Sequence, residues 1–182
     1  MIFGNVQKFA VESVVKDFYS AESLMALGFF NIHINGIRYG VHERDASMLG
    51  CSYHEVKKRI SNRGRHISPF GNDFNASDLV ESYQKSNYGI GRLRGPFIGM
   101  KEAHVVDLIL KNNLIWAPDG DEAFDDGGHI FHFDLKDSVR LIGFKNKPIA
   151  DSISDLTLGS DYFYATLSDW SISFLENWEK NR

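Results

Sequence analysis

GHIFHFDLKDSVRLIGF, residues 128–144, decides the fold. Ile130, His132 and Asp134 alternate with Phe131, Phe133 and Leu135, the period-two pattern of a β-strand with one buried face. Lys136-Asp137 interrupts the run, and Val139-Arg140-Leu141-Ile142-Gly143-Phe144 resumes it. Two adjacent antiparallel strands joined by a short polar link account for both features. Phe131, Phe133 and Leu135 are expected to face the core, with two or three of Val139, Leu141 and Ile142. Further on, DYFYATLSDWSISFLENWEK, residues 161–180, changes the period. Phe163, Leu167, Trp170, Phe174 and Trp178 recur every three or four residues and mark one face of a long helix starting near Ser160 or Asp161. A helix laid across that sheet makes the chain an α+β protein, its sheet largely antiparallel and also packed by shorter helices.

Working back from this pair, FFNIHINGIRYGV at 29–41 reads as a hairpin turning at Asn35-Gly36, preceded by a strand over Phe9–Val15. In SYHEVKKRISNRG, 52–64, Ser52 and Glu55 have capping-box spacing, and Tyr53, Val56 and Ile60 share an apolar side. Lys57, Lys58 and Arg59 then take solvent-facing directions. A second helix begins at Ser77, with Leu79, Val80 and Tyr83 facing the body and Glu81 pairing with Lys85. A third runs through KEAHVVDLILKNN, 101–113, on Val105, Leu108 and Ile109. Between them, IGRLRGPFIG, 90–99, is punctuated by glycine and proline and reads as a turn leading into a short strand. A last short strand is expected around Leu156–Leu158.

The chain has 182 residues, of which 43% are apolar and 24% charged, enough for a sizeable core and too little to divide into independent modules. One domain over 1–182 is the expectation. Cys51 is the single cysteine, so neither an internal disulfide nor a cysteine-based zinc site exists within one copy. A reducing, cytoplasmic setting is the simplest reading, since no basic segment followed by an apolar run opens the sequence and no long apolar stretch spans a membrane.

A net charge of −4 gives no global attraction to nucleic acid, but its distribution is uneven. Ten basic residues face five acidic ones between Arg44 and Lys101, whereas seven acidic residues face only Lys136 between Ala117 and Asp137. Two surfaces of opposite sign follow. The acidic set, Asp119, Asp121, Glu122, Asp125 and Asp126, suits either a solvated loop or a surface for a basic protein. Its order is not that of a calcium loop, because glycine follows the first acid and Ile130 stands where the twelfth-position glutamate belongs. The basic set, Lys57, Lys58, Arg59, Arg92 and Arg94, supports an alternative: a module binding RNA or another anionic ligand. Its Gly89–Gly95 segment lacks the strand, turn and terminal Lys-Ser/Thr of a phosphate-binding loop.

Catalysis finds little support. The surroundings of His129 and His132 favour a strand, which points residues three apart to opposite faces, and the proposed cap places Cys51 outside the helix that holds His54. No cofactor and no metal is expected.

Taken together, MIFG at 1–4, Phe9-Ala10, FDDG at 124–127, Phe133-Asp134, VRLIGF at 139–144 and the aromatic C-terminal helix resemble the bacterial immunity-protein family forty-two. That resemblance implies a cytosolic antidote, made beside a secreted or contact-delivered toxin, that binds the cognate toxin's C-terminal domain. Many toxins in such systems are nucleases. Catalysis by the antidote itself is not implied; acidic side chains meeting a basic toxin surface suffice.

Overall fold

The structure, a computed structural model, describes residues 1–89, 96–116, 121–146 and 152–182. Strands β1 (Ile2–Gly4), β2 (Phe9–Phe18), β3 (Ala26–Ile34), β4 (Ile37–Tyr39) and β5 (Ser47–Met48) form one antiparallel sheet in the order β1-β2-β3-β4, with β5 also pairing β3. Between β3 and β4, Asn35 and Gly36 have φ of 52° and 78°, the left-handed pair that a two-residue hairpin turn requires. A second antiparallel sheet has the order β6 (Gly128–Asp134), β7 (Ser138–Lys145), β8 (Ser154–Gly159). The central register pairs Phe131 with Ile142 and Leu141 with Leu156.

Helix α4 (Ser160–Asn181) roofs both sheets. Its stripe, Phe163, Leu167, Trp170, Phe174 and Trp178, is buried against Phe9, Phe30, Ile130, Val139 and Leu141. Helices α2 (Ala76–Tyr88) and α3 (Glu102–Lys111) cover the other face of the second sheet, where Leu79, Val80, Tyr83, Val105 and Ile109 join Phe131, Phe133, Ile142 and Phe144. The expectation that α4 covers the Phe131/Phe133/Leu135 face is therefore corrected. Those phenylalanines face α2 and α3, α4 takes the opposite face, and Leu135 lies beyond the end of β6, half-buried. All seven residues of β6 are buried, so the alternation marks two cores of different chemistry and not a core and a solvent face.

Helix α1 (Leu49–Ser61) starts three residues before the predicted cap. Ser52 lies inside it, buried, and no side chain caps the N-terminus. The reason is tertiary: β5 feeds directly into the helix, and the first-turn N–H of Gly50 is taken by the Leu24 carbonyl at 3.0 Å. Cys51 consequently belongs to α1 with His54, on exposed positions, and His54 Nε2 faces the Glu22 carbonyl at 3.4 Å. In α2 the cap is Asn75, whose Oδ1 accepts from the Ser77 amide at 2.8 Å. Lys85 reaches across to Glu102 on α3. After Pro96 the chain makes only an isolated bridge, Phe97 to Met100, where a short strand was expected; residues 90–95 lie outside the described set.

The sheets meet where Tyr39 of β4 lies over Gly143 of β7. A Cβ at position 143 would stand 2.4 Å from the Tyr39 ring, so glycine is what lets the ring settle there. The Tyr39 hydroxyl donates to the Ser152 carbonyl at 2.7 Å, and burial raises its pKa to about 12.

Candidate functional site

Helix α1 divides its charged residues between interior and surface. Arg59, placed on the exposed face by the sequence pattern, is fully buried. Its guanidinium pairs with Glu55 at 3.1 Å, donates to the Ile115 carbonyl at 2.6 Å and to His132 Nδ1 at 3.1 Å, and lies 5.1 Å from the Trp116 ring centre. Burial lowers its pKa to about 10, which leaves it charged at neutral pH. A buried cation demands such partners.

Behind Arg59 stands Asp134. One carboxylate oxygen accepts from the amides of Gly64 and His66 at 2.8 and 3.1 Å and from His66 Nδ1 at 2.9 Å; the other accepts from the Tyr164 hydroxyl at 2.7 Å. Burial alone would raise the Asp134 pKa, but hydrogen bonds from His132, His66 and Tyr164 hold it well below the usual carboxylate range. Burial, helped by the Arg59 charge, pushes His132 down to about 3. Because Arg59 donates to Nδ1, His132 is the neutral tautomer with its proton on Nε2. This cluster, drawn from α1, the 64–66 loop, β6 and α4, was invisible in the sequence because its members lie in separate segments.

One atom from each of His66, His132 and Asp134 falls within 4.8 Å of the others, a spacing that suits a metal ion. The chemistry does not fit one. Asp134 is already saturated with donors, and the Arg59 guanidinium puts a fixed positive charge 3.1 Å from His132. Two further histidines stand apart from this cluster: His104 is exposed, while His129 stacks on Phe144 and meets Asn146 at 3.0 Å.

The His132 shift makes stability depend on pH in a definite direction. Between about pH 6.5 and 3 the unfolded chain binds a proton that the folded chain refuses, so stability falls as pH falls, by up to ~1.4 kcal/mol per pH unit. Asp134 acts in the same direction below its unfolded pKa, near pH 4. Urea unfolding from pH 7.5 to 4.5 is expected to show this slope. In His132→Gln, less stable at neutral pH, the slope is shallower and the two curves converge toward acid. Parallel curves would remove His132 as its source.

On the surface, the acidic residues separate into structural and free. Asp121 caps the short 3₁₀ helix Glu122–Phe124 by accepting from the Ala123 amide at 3.1 Å. Its pKa is raised by burial, partly opposed by that bond. Asp126 is tied into the sheet edge, accepting from Gly128 N at 3.0 Å, Gly40 N at 3.2 Å and Lys145 Nζ at 2.6 Å. Glu122 and Asp125 are exposed, and Asp119 lies outside the described residues. Of the basic set, three residues are described, and one of them is withdrawn from the surface. Lys57 and Lys58 are exposed, Arg59 is committed to the core, and Arg92 and Arg94 lie outside the described residues.

Asp121 and Glu122 border a cleft of about 650 Å³ between α1, the end of α3 and the acidic turn. Leu24, Met48, Cys51, Glu55, Lys58, Leu110 and Trp116 are among its other walls. Sequence reasoning found the acids but not the cleft, since Leu24 and Leu110 are brought to it only by the packing of β3 and α3.

The α+β fold thus pairs its buried charges within itself and presents carboxylates beside an open cleft. The chain belongs to the Immunity protein 42 family, whose model matches residues 1–173. Among solved structures it is similar to the crystal structure of CdiI from Burkholderia dolosa, at 15% identity over 95% of this chain and 99% of that one, with a TM-score of 0.58. That likeness concerns the fold. No curated protein matches the chain. Among the described residues no helix is long and apolar enough to cross a membrane.

Proposed function

We propose that this protein is a cytoplasmic antidote that binds the C-terminal domain of a cognate bacterial toxin and occludes its active or substrate-binding surface, acting by binding and not by catalysis. Membership of the immunity-protein family carries this reading. The acidic turn supplies its chemistry: Glu122 and Asp125 stand exposed beside Asp121 and attract a basic partner. A nuclease, whose substrate surface must be positive to hold phosphates, is the toxin class this charge complements best.

Coexpression is expected to protect cells from the toxin encoded beside this gene and not from an unrelated toxin using the same delivery machinery. Absence of both binding and protection would refute the reading. For the acidic turn, the double variant Glu122→Gln/Asp125→Asn is expected to slow association about tenfold at low salt and much less at high salt, because screening already suppresses long-range attraction. Stopped-flow mixing at two ionic strengths measures this, with circular dichroism to confirm folding. Equal association rates for variant and native protein would exclude steering by these two carboxylates.

A further inference from the structure

The cleft beside the acidic turn has a chemistry that steering alone does not use. Three carboxylates, Glu55, Asp121 and Glu122, line it against one ammonium, Lys58. Glu55 gives one oxygen to Arg59 at 3.1 Å, while the other stands 3.8 Å from Lys58, a long and half-exposed pair. Leu24 and Leu110 add apolar wall although 39% and 57% exposed. Ser47, which also lines the cleft, is 4% exposed, and its hydroxyl has no hydrogen-bond partner. A buried hydroxyl without a partner, which can lend a lone pair, next to carboxylates and exposed leucines, matches a long side chain with an apolar stem and a cationic head.

We infer that this cleft receives one arginine or lysine side chain of the toxin domain, its stem against Leu24 and Leu110 and its head between Asp121, Glu122 and the Ser47 hydroxyl. The inference rests on the toxin-binding reading and adds to it the point of insertion. An opening of about 650 Å³ lies within the ~300–1,000 Å³ of pockets that enclose a small ligand, ample for a side chain with its flanking backbone. The partly buried Asp121, whose carboxyl is already pushed toward its neutral form, gains most from a cation. Lys58 is the residue such a cation displaces from Glu55.

The wall holds its own reporter, since Cys51 is exposed, lines the cleft and is the single cysteine of the chain. In complex with the C-terminal domain of the cognate toxin, Cys51 is expected to react with iodoacetamide at least tenfold more slowly than in the free protein, followed by intact-mass spectrometry. Asp121→Asn keeps the capping oxygen and removes the charge; Leu110→Ser alters an exposed wall. Each is expected to weaken the complex about tenfold through faster dissociation. Lys58→Met is expected to tighten it several-fold, because it removes the competing cation. A complex of native affinity in which Cys51 reacts as fast as in the free protein would overturn the inference and leave the toxin-binding reading standing. Protection of Cys51 with weaker binding by Lys58→Met would overturn it too, assigning the cleft to an anionic group. Unchanged affinity in Asp121→Asn and Leu110→Ser would do the same. No complex at all would end both readings together.

Discussion

Asp134→Ala is expected to destabilise the protein by about 3–5 kcal/mol at neutral pH. The carboxylate accepts from two backbone amides, from His66 and from Tyr164, all at 2.7–3.1 Å, and the residue is 8% exposed. Removing it leaves those donors without an acceptor in a place water scarcely reaches. It also takes a counter-charge from the neighbourhood of the buried Arg59 guanidinium. Asp134→Asn is expected to fare little better, because its amide nitrogen must face groups that are themselves donors. Urea denaturation followed by circular dichroism measures the loss. A change below about 1 kcal/mol would mean that solvent enters and satisfies the stranded groups, so that the cluster is not the dry network its geometry describes.

Trp170→Ala is expected to cost a similar amount, about 3–5 kcal/mol, by a different route. The indole is fully buried, stacked on Phe174 with ring centres 5.4 Å apart and set edge-on to Phe30 at 4.8 Å. Its Nε1 donates to the buried Ser13 hydroxyl at 2.9 Å. Alanine therefore opens a cavity at the junction of α4 with β2 and β3, and strands a hydroxyl as well. Trp170→Phe separates the two contributions, since it refills most of the volume and restores no hydrogen bond. Equal losses in the two variants would assign the effect to Ser13 and not to packing. Neither Asp134 nor Trp170 lines the cleft, so at temperatures where the variants remain folded toxin affinity is expected to be native.

Local periodicity revealed what local physics controls. The Asn35-Gly36 hairpin, the Phe163–Trp178 stripe and the pairing of 128–134 with 138–145 are each set by neighbouring residues, and the structure contains all three. Errors arose wherever a distant segment supplied the partner. Ser52 and Glu55 have the spacing of a capping box, yet Leu24 takes a first-turn amide and Glu55 turns to Arg59. Arg59 looked solvent-facing beside Lys57 and Lys58, and His132 and Asp134 looked like the polar side of a strand. His132 bridges Arg59 to Asp134 across 75 residues of sequence, which no window along the chain detects. For the same reason the acidic cluster was visible as composition, while its division into the structural Asp126 and the exposed Glu122 and Asp125 was not.

The order of elements also sets when this protein becomes competent during synthesis. Every strand that α4 roofs precedes it in the chain, so a nascent polypeptide carries both sheets before the helix that covers them has been made. Until then Phe9, Ile32, Ile130 and Val139 lack their lid, and the Ser13 hydroxyl and Tyr19 carbonyl await the indoles of Trp170 and Trp178. Strand β2 and the segment after it are thus locked by a helix made well over 100 residues later, and a half-made molecule has neither the core closed by α4 nor those hydrogen bonds. On the function proposed above, a cell is defended by its standing stock, because a burst of new translation yields nothing useful until α4 has been made and has closed over both sheets.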